Sequence, residues 1–256
     1  AFALGSAIPF GFNARQMNAW MMHGNGRKLM NELYAGYNMV SFHGGNTGTQ
    51  MGGWFRKEIK SVADFKGLKM RLGGALVGEV MTKLGAVPQS IPGGEIYQAL
   101  EKGTIDAAEW IGPYDDQKLG FNKVAPYYYY PGWWEGGPEV DFFVNQKALD
   151  SLSAENKAII EAASQLAAAD MLAKYDAFNP KALKQLAAAK TKVLPFPQEV
   201  LTASFKASLE VFAANEAKSP EWKKIYADMR EFQRDQVLWF RFAESRFDSF
   251  MASQKL

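Results

Sequence analysis

The sequence predicts an α/β fold. Three observations carry it: strand and helix signals alternate between Tyr37 and Trp110, glycines close two of the intervening helices, and the chain turns predominantly helical after Ser153. In order, Asn13 to Leu33 reads as two helices parted at Gly24-Asn25-Gly26. Tyr37 to Phe42 reads as a strand, followed by a glycine loop from His43 to Gly48 and a second strand from Gln50 to Phe55. Leu68 to Leu72 is a strand, and Gly74 to Leu84 a helix ending at Gly85. Pro88 to Pro92 is extended, Gly94 to Lys102 is a helix stopped by Gly103, and Thr104 to Trp110 is a strand. Strands alternating with helices imply βαβ units and a largely parallel sheet.

A short helix follows Pro113, and Glu139 to Asn145 alternates as a strand. An Ala-rich helix then runs to about Phe178, is interrupted at Asn179-Pro180 and resumes to about Lys190. A strand around Val193 and Leu194 precedes a helix opening near Pro197. Ser219-Pro220-Glu221 is a helix start, with no Gly or Pro between it and Ser253, so one long helix is expected. Its large apolar residues spread around most of the circumference, which fits packing between lobes of one molecule as well as burial against a second chain.

Composition removes several functions. Lys and Arg number 29 against 27 Asp and Glu, a balance that gives no broad field for nucleic acid. The absence of cysteine excludes disulfides, thiolate metal sites and Cys nucleophiles. Only His23 and His43 offer imidazole, and both read as surface or hydrogen-bonded residues in loop-like surroundings. Gly44 to Gly48 lacks the Lys-Ser/Thr of a P-loop, and no Gly-x-Ser-x-Gly elbow exists. No apolar run approaches the roughly 20 residues of a membrane span. The opening run Ala1 to Ile8 has no basic region before it, unlike a signal peptide, and reads as the interior of a folded protein.

What remains is a set of polar residues at strand ends, where open α/β sheets bind ligands. Arg71 ends the strand before Gly73-Gly74 and offers a planar fork for a carboxylate. Glu109 closes the strand before Gly112-Pro113 and can bind a cation. Arg71 and Glu109 can equally be read as a structural ion pair. Glu135, bracketed by Trp134 and Gly136-Gly137-Pro138, needs a partner, either a cation or loop amides.

These residues lie within recognisable motifs. Phe65-Lys66-Gly67-Leu68-Lys69-Met70-Arg71 and Tyr97 to Ala107 resemble two signatures of the DctP family, the periplasmic solute receptors of tripartite ATP-independent periplasmic (TRAP) transporters. Gly45 to Gly48, Gln50 to Phe55, Ala108 to Asp116 and Tyr127 to Pro138 resemble the branch that receives 2-oxo acids such as pyruvate. The resemblance covers essentially the whole chain. It implies a two-lobed, periplasmic-binding-protein-like fold around a ligand cleft, with a long C-terminal helix. By that resemblance, residues 1–18 and 110–143 are a remnant of the first lobe with the hinge, 19–109 and 144–218 the second lobe, and 219–256 a dimerisation helix. Family members carry a secretion signal and further β–α units before the segment matching Ala1 to Phe12, so a first lobe truncated at its N-terminus is expected.

The resemblance assigns roles residue by residue. Arg71 clamps the ligand carboxylate. Gln50, Glu109, the backbone carbonyl of Trp110 and Glu135 bind a cation that helps hold the ligand. Phe10 lines the cleft. All the cation donors are oxygen, as a hard ion such as Na+ or Ca2+ requires. The implied function is a non-enzymatic periplasmic receptor that captures a small 2-oxo or 2-hydroxy monocarboxylate and delivers it to the TRAP membrane permease, as a homodimer through the C-terminal helix and with no nucleic-acid partner. Two alternatives stay open: a receptor for a larger acid (a dicarboxylate or hydrophobic monocarboxylate), and a metal-assisted carboxylate lyase using Glu109 and Glu135 as acid and base.

Overall fold

The computed structural model describes residues 1–254. Asn13 caps α1 (Ala14–His23) in a reciprocal pair with Gln16, and α2 (Gly26–Ala35) follows the predicted turn. The chain continues through β1 (Met39–Asn46), β2 (Trp54–Phe55), β3 (Lys69–Arg71), α3 (Ala75–Lys83), β4 (Val87–Gln89), α4 (Ile96–Lys102) and β5 (Ala107–Ala108). Gly85 (φ +93°) and Gly103 (φ +71°) supply the left-handed residues that end α3 and α4, as predicted. Then come α5 (Pro113–Leu119), β6 (Tyr127–Tyr130), β7 (Glu139–Asn145), α6 (Gln146–Asp150), α7 (Ala154–Ala188), β8 (Lys192–Pro195), α8 (Gln198–Lys218), α9 (Pro220–Phe242) and α10 (Glu244–Ala252).

The strands form two sheets. One has the order β4-β3-β5-β2-β6-β8, and the other is a two-stranded antiparallel ribbon of β1 and β7. The βαβ part is parallel as expected, β3 pairing with both β4 and β5. The large sheet is nevertheless mixed, because β2 runs antiparallel to both β5 and β6. The chain enters β2 through Gly53, whose φ of +85° reverses its path. A Cβ there would lie 2.6 Å from the carbonyl oxygen of Ala108, so only glycine permits the approach.

Three further expectations are corrected. The glycine loop after His43 is mostly strand: β1 runs to Asn46, with an irregularity between His43 and Gly45. Gly44 and Gly45 serve packing here, since Cβ atoms would fall 2.4 Å from the Phe142 ring and 2.3 Å from Met171 Sδ. The long helix α7 does not break at Pro180. Its packing along β1 and α5 outweighs the backbone bond that proline removes. Asn179 instead turns its side chain outward, where Oδ1 accepts from the Tyr114 amide at 3.0 Å and serves the start of α5. The last helix does break, at Ala243 (φ −104°, ψ −105°), without Gly or Pro.

Three cores hold the fold. Met70, Leu72, Val80, Trp134, Phe196 and Val200 join β3 and α3 to α8. Trp20, Met30, Tyr34, Trp222 and Tyr226 join α1 and α2 to α9. Trp54, Ile96, Leu100, Tyr128 and Leu186 pack below the other face of the sheet. The apolar residues of the last segment thus divide along its length. Trp222, Ile225, Tyr226 and Met229 are buried within the chain, while Leu238, Trp239, Phe242, Phe247 and Phe250 are exposed. Among the described residues, no helix is long and apolar enough to cross a membrane.

Candidate functional site

β3 and β5 lie side by side, so their C-terminal ends present Arg71 and Glu109 to the same space, and the Glu109 amide donates to the Arg71 carbonyl at 3.2 Å. The side chains meet directly. Arg71 Nη1 donates to Glu109 Oε1 at 2.5 Å and to the Glu109 carbonyl at 2.8 Å, and Nε donates to the Ile91 carbonyl at 3.3 Å. The guanidinium carbon lies 5.0 Å from the centre of the Trp110 ring. The ion-pair reading of Arg71 and Glu109 is therefore correct as far as contact goes. Hydrogen bonds on Nη1 and Nε leave the Nη2 edge of the fork for a guest.

Gln50 and Glu135 reach the same site through backbone. The Gln50 amide donates to the Glu135 carbonyl at 3.1 Å, and the Met51 amide to the Ile111 carbonyl at 3.0 Å, which ties the Gln50 loop to the segment just after Trp110. The Gly132 amide donates to the Gln50 carbonyl at 2.9 Å, and a Cβ on Gly132 would collide with that oxygen at 2.6 Å. The Gln50 side chain is oriented by its Nε2, which donates to Thr47 Oγ1 at 3.2 Å. Its Oε1 is buried and has no hydrogen-bond partner.

The electrostatics agree with this convergence. Burial raises the pKa of Glu109 above the usual carboxylate range; the Glu135 charge adds to that, and Arg71 pulls it back. Burial likewise raises Glu135, with Arg71 opposing. Two buried carboxylates that repel each other share one guanidinium, and the loop bonded to the Glu135 backbone carries a buried amide oxygen without a partner. A hard cation fits this donor set, which contains neither nitrogen nor sulfur.

Some contributors were not legible in the sequence. Gly73 allows the close packing, since a Cβ there would lie 2.9 Å from Glu109 Oε1. Its place after the β3 arginine was the available signal. Asp116 is fully buried; Oδ2 accepts from Trp54 Nε1 and Tyr128 Oη, each at 2.8 Å, and Oδ1 accepts from the Ile111 amide at 3.2 Å. It thereby fixes the backbone next to Trp110. Phe10 stacks on Trp133 at 5.2 Å and lines a cavity of about 380 Å³ with Phe205, Arg230 and Leu238. It adjoins the Trp133-Trp134 pair.

Residues 1–219 match the family model of the bacterial extracellular solute-binding proteins, family 7 (DctP). A monocarboxylate 2-oxoacid-binding periplasmic protein of Nostoc sp. strain PCC 7120 is 47% identical over 255 residues, covering 100% of this chain and 70% of that protein. A TRAP transporter solute-binding protein from Bordetella bronchiseptica, crystallised with copurified calcium and picolinate at one site of a dimer, superposes with a TM-score of 0.96 at 52% identity, covering 98% of this chain and 75% of that one. The TRAP periplasmic solute-binding protein of Pseudoalteromonas atlantica, with bound sodium and pyruvate, gives a TM-score of 0.91 at 45% identity over the same shares. With the family model matched over most of its length, the chain belongs to the DctP family of extracellular solute-binding proteins, whose members serve transport and are not enzymes.

Proposed function

We propose that this chain binds a small 2-oxo monocarboxylate of the pyruvate type together with sodium or calcium in the periplasm and delivers it to a TRAP membrane permease. The observation that carries the reading is the pair of buried carboxylates, Glu109 and Glu135, sharing the Arg71 guanidinium, with a buried, unpartnered Oε1 on Gln50, whose backbone is bonded to that of Glu135. In this reading Gln50, Glu109, Glu135 and the Trp110 carbonyl hold the cation, and Arg71 takes the guest carboxylate. The bound cation supplies a charge to which the carboxylate and the 2-oxygen can both coordinate. Relatives with calcium and picolinate or sodium and pyruvate support the class of guest.

Selectivity follows from the donor count. An acid without the 2-oxygen leaves one position on the cation to water, so it binds more weakly without any steric filter. In the same reading, segments 19–109 and 144–218 make the lobe that carries Arg71, 1–18 and 110–143 contribute the other lobe and the hinge, and Phe10 borders the cleft through Trp133. The exposed apolar row of Leu238, Trp239, Phe242, Phe247 and Phe250 supports a homodimer formed through 219–256, of which residues 255 and 256 lie outside the described structure.

Calorimetry on chelator-treated protein tests the proposal. Pyruvate is expected to bind with calcium or sodium present and to lose at least about tenfold in affinity without them. Propionate should be weaker than pyruvate by a similar factor, since tenfold corresponds to about 1.4 kcal/mol. Equal affinity for the two acids would refute the chelation reading.

A further inference from the structure

A second constellation lies on the β1–β7 ribbon. His43 and Asp141 are directly paired across the strands, and the irregularity after His43 brings Glu139 alongside them. One donor atom from each of His43, Glu139 and Asp141 lies within 4.8 Å of the other two. His43 Nδ1 is 2.9 Å from Glu139 Oε1 yet makes no aligned hydrogen bond. Glu139 is only 5% exposed, and its Oε2, like Asp141 Oδ1, is buried without a partner. His43 Nδ1, Glu139 Oε2 and Asp141 Oδ1 are thus three buried atoms without an aligned partner, on side chains close enough for Glu139 to raise the Asp141 carboxyl. Beside His43 and Glu139 is a cavity of about 30 Å³, bordered also by Ser41, Arg27 and Glu161, comparable to the volume of one water molecule or ion.

The charge balance of this pocket is unfavourable as it stands. Burial, then the Glu139 charge, raises the Asp141 pKa well above the carboxylate range. The nearest cation, Arg27, donates from Nη1 to Glu161 Oε1 at 2.5 Å and is engaged by a second contact to Oε2. Two repelling carboxylates with a nitrogen donor call for an ion that accepts both oxygen and imidazole. Sodium and calcium take oxygen, whereas zinc-type divalent ions take imidazole together with carboxylate.

We propose that His43, Glu139 and Asp141 form a second, zinc-type divalent metal site on the β1–β7 ribbon, separate from the cleft. A tetrahedral zinc with bonds of about 2.0–2.1 Å sets its donors about 3.4 Å apart, a spacing that lies between the 2.9 Å of His43 Nδ1 to Glu139 Oε1 and the 4.8 Å limit of the cluster. The metal would join the two strands whose ends carry Gln50 and Glu135. Asn46 already links these ends, its Nδ2 donating to the Gly137 carbonyl at 3.0 Å. The ion would act as a staple holding the ribbon that presents both side chains.

The test is zinc uptake by the whole chain after chelation, measured by metal analysis following desalting and by the shift in melting temperature. The wild type and Glu135→Gln should each retain one zinc per chain and melt higher with it, and calcium should not substitute. His43→Gln should retain none, and Asp141→Asn should show the same loss if the first variant does not fold. X-ray absorption of the zinc-loaded wild type should report one imidazole among oxygen donors, a readout that needs no variant. Three results would overturn the proposal: no stoichiometric zinc in the wild type, zinc retained by both His43→Gln and Asp141→Asn, or zinc lost in Glu135→Gln and kept in His43→Gln. An absorption spectrum without an imidazole ligand would do the same.

Discussion

Gln50 and Glu135 are joined main chain to main chain, the amide of the first donating to the carbonyl of the second at 3.1 Å. The loop after β1 and the loop before β7 are therefore one unit where they meet the cleft. A change in either loop should be felt by both side chains, because neither can move without breaking that bond.

The Arg71 guanidinium opposes the upward shift of both the Glu109 and the Glu135 carboxyl. Arg71→Ala should abolish pyruvate binding in calcium, a loss of at least about 100-fold, or about 2.8 kcal/mol. Arg71→Lys should recover part of it, keeping the charge without the planar fork. Calorimetry reads both; unchanged affinity in Arg71→Ala would remove the guanidinium from the site.

Gly73 is defined by what it lacks. In Gly73→Ala the new methyl meets Glu109 Oε1 at 2.9 Å. The carboxylate must shift, so calcium affinity should fall about tenfold or more, with a modest stability cost of about 1–3 kcal/mol. Calcium titration and urea unfolding separate the two effects.

Asp116 gives a pH signature. Burial raises its pKa from 3.8 to about 6, despite bonds from Trp54, Tyr128 and the Ile111 amide. A carboxyl with a raised folded pKa contributes stability that is complete below its unfolded value and is lost as pH climbs through the folded one. The stability of the wild type relative to Asp116→Asn should therefore fall between about pH 4 and pH 7, by on the order of 3 kcal/mol. The variant should also be destabilised by about 1–3 kcal/mol near neutrality, because its amide nitrogen faces an N–H or O–H donor. Urea midpoints at several pH values check both, and a pH-independent difference between the two proteins would contradict the shift.

The exposed aromatics of α9 and α10 carry the dimer prediction. Sedimentation should show Trp239→Ser/Phe242→Ser shifted toward monomer by at least tenfold in dissociation constant, with pyruvate affinity within twofold of wild type. An unchanged association state would point away from this helix.

Much of the candidate site was legible because its chemistry sits at strand ends: Arg71 closing β3 and Glu109 just after β5 were singled out by pattern, and their side chains meet. Glu135 stood out by its aromatic and glycine neighbours, whereas Gln50 needed the family resemblance, since its meeting with Glu135 depends on backbone pairing between distant loops that periodicity does not encode. Pro180 misled because helix propensity is local, whereas α7 is held by what it packs against. His43 misled for a related reason: glycine neighbours signal a loop, yet Gly44 and Gly45 are there to admit Phe142 and Met171 onto a strand. Asp116 was invisible, since nothing local distinguishes it from the half-buried carboxylate of Asp115 next to it.

The interruption at Ala243 has a practical consequence. α10 buries none of its own residues, so it contributes to none of the three cores. Ending the chain at that alanine should leave a folded, ligand-competent protein, with the Arg15–Glu244 ion pair and the packing of α10 on α9 forfeited. The tail is in effect a detachable module, open to replacement by a tag, a fluorophore or a different assembly segment.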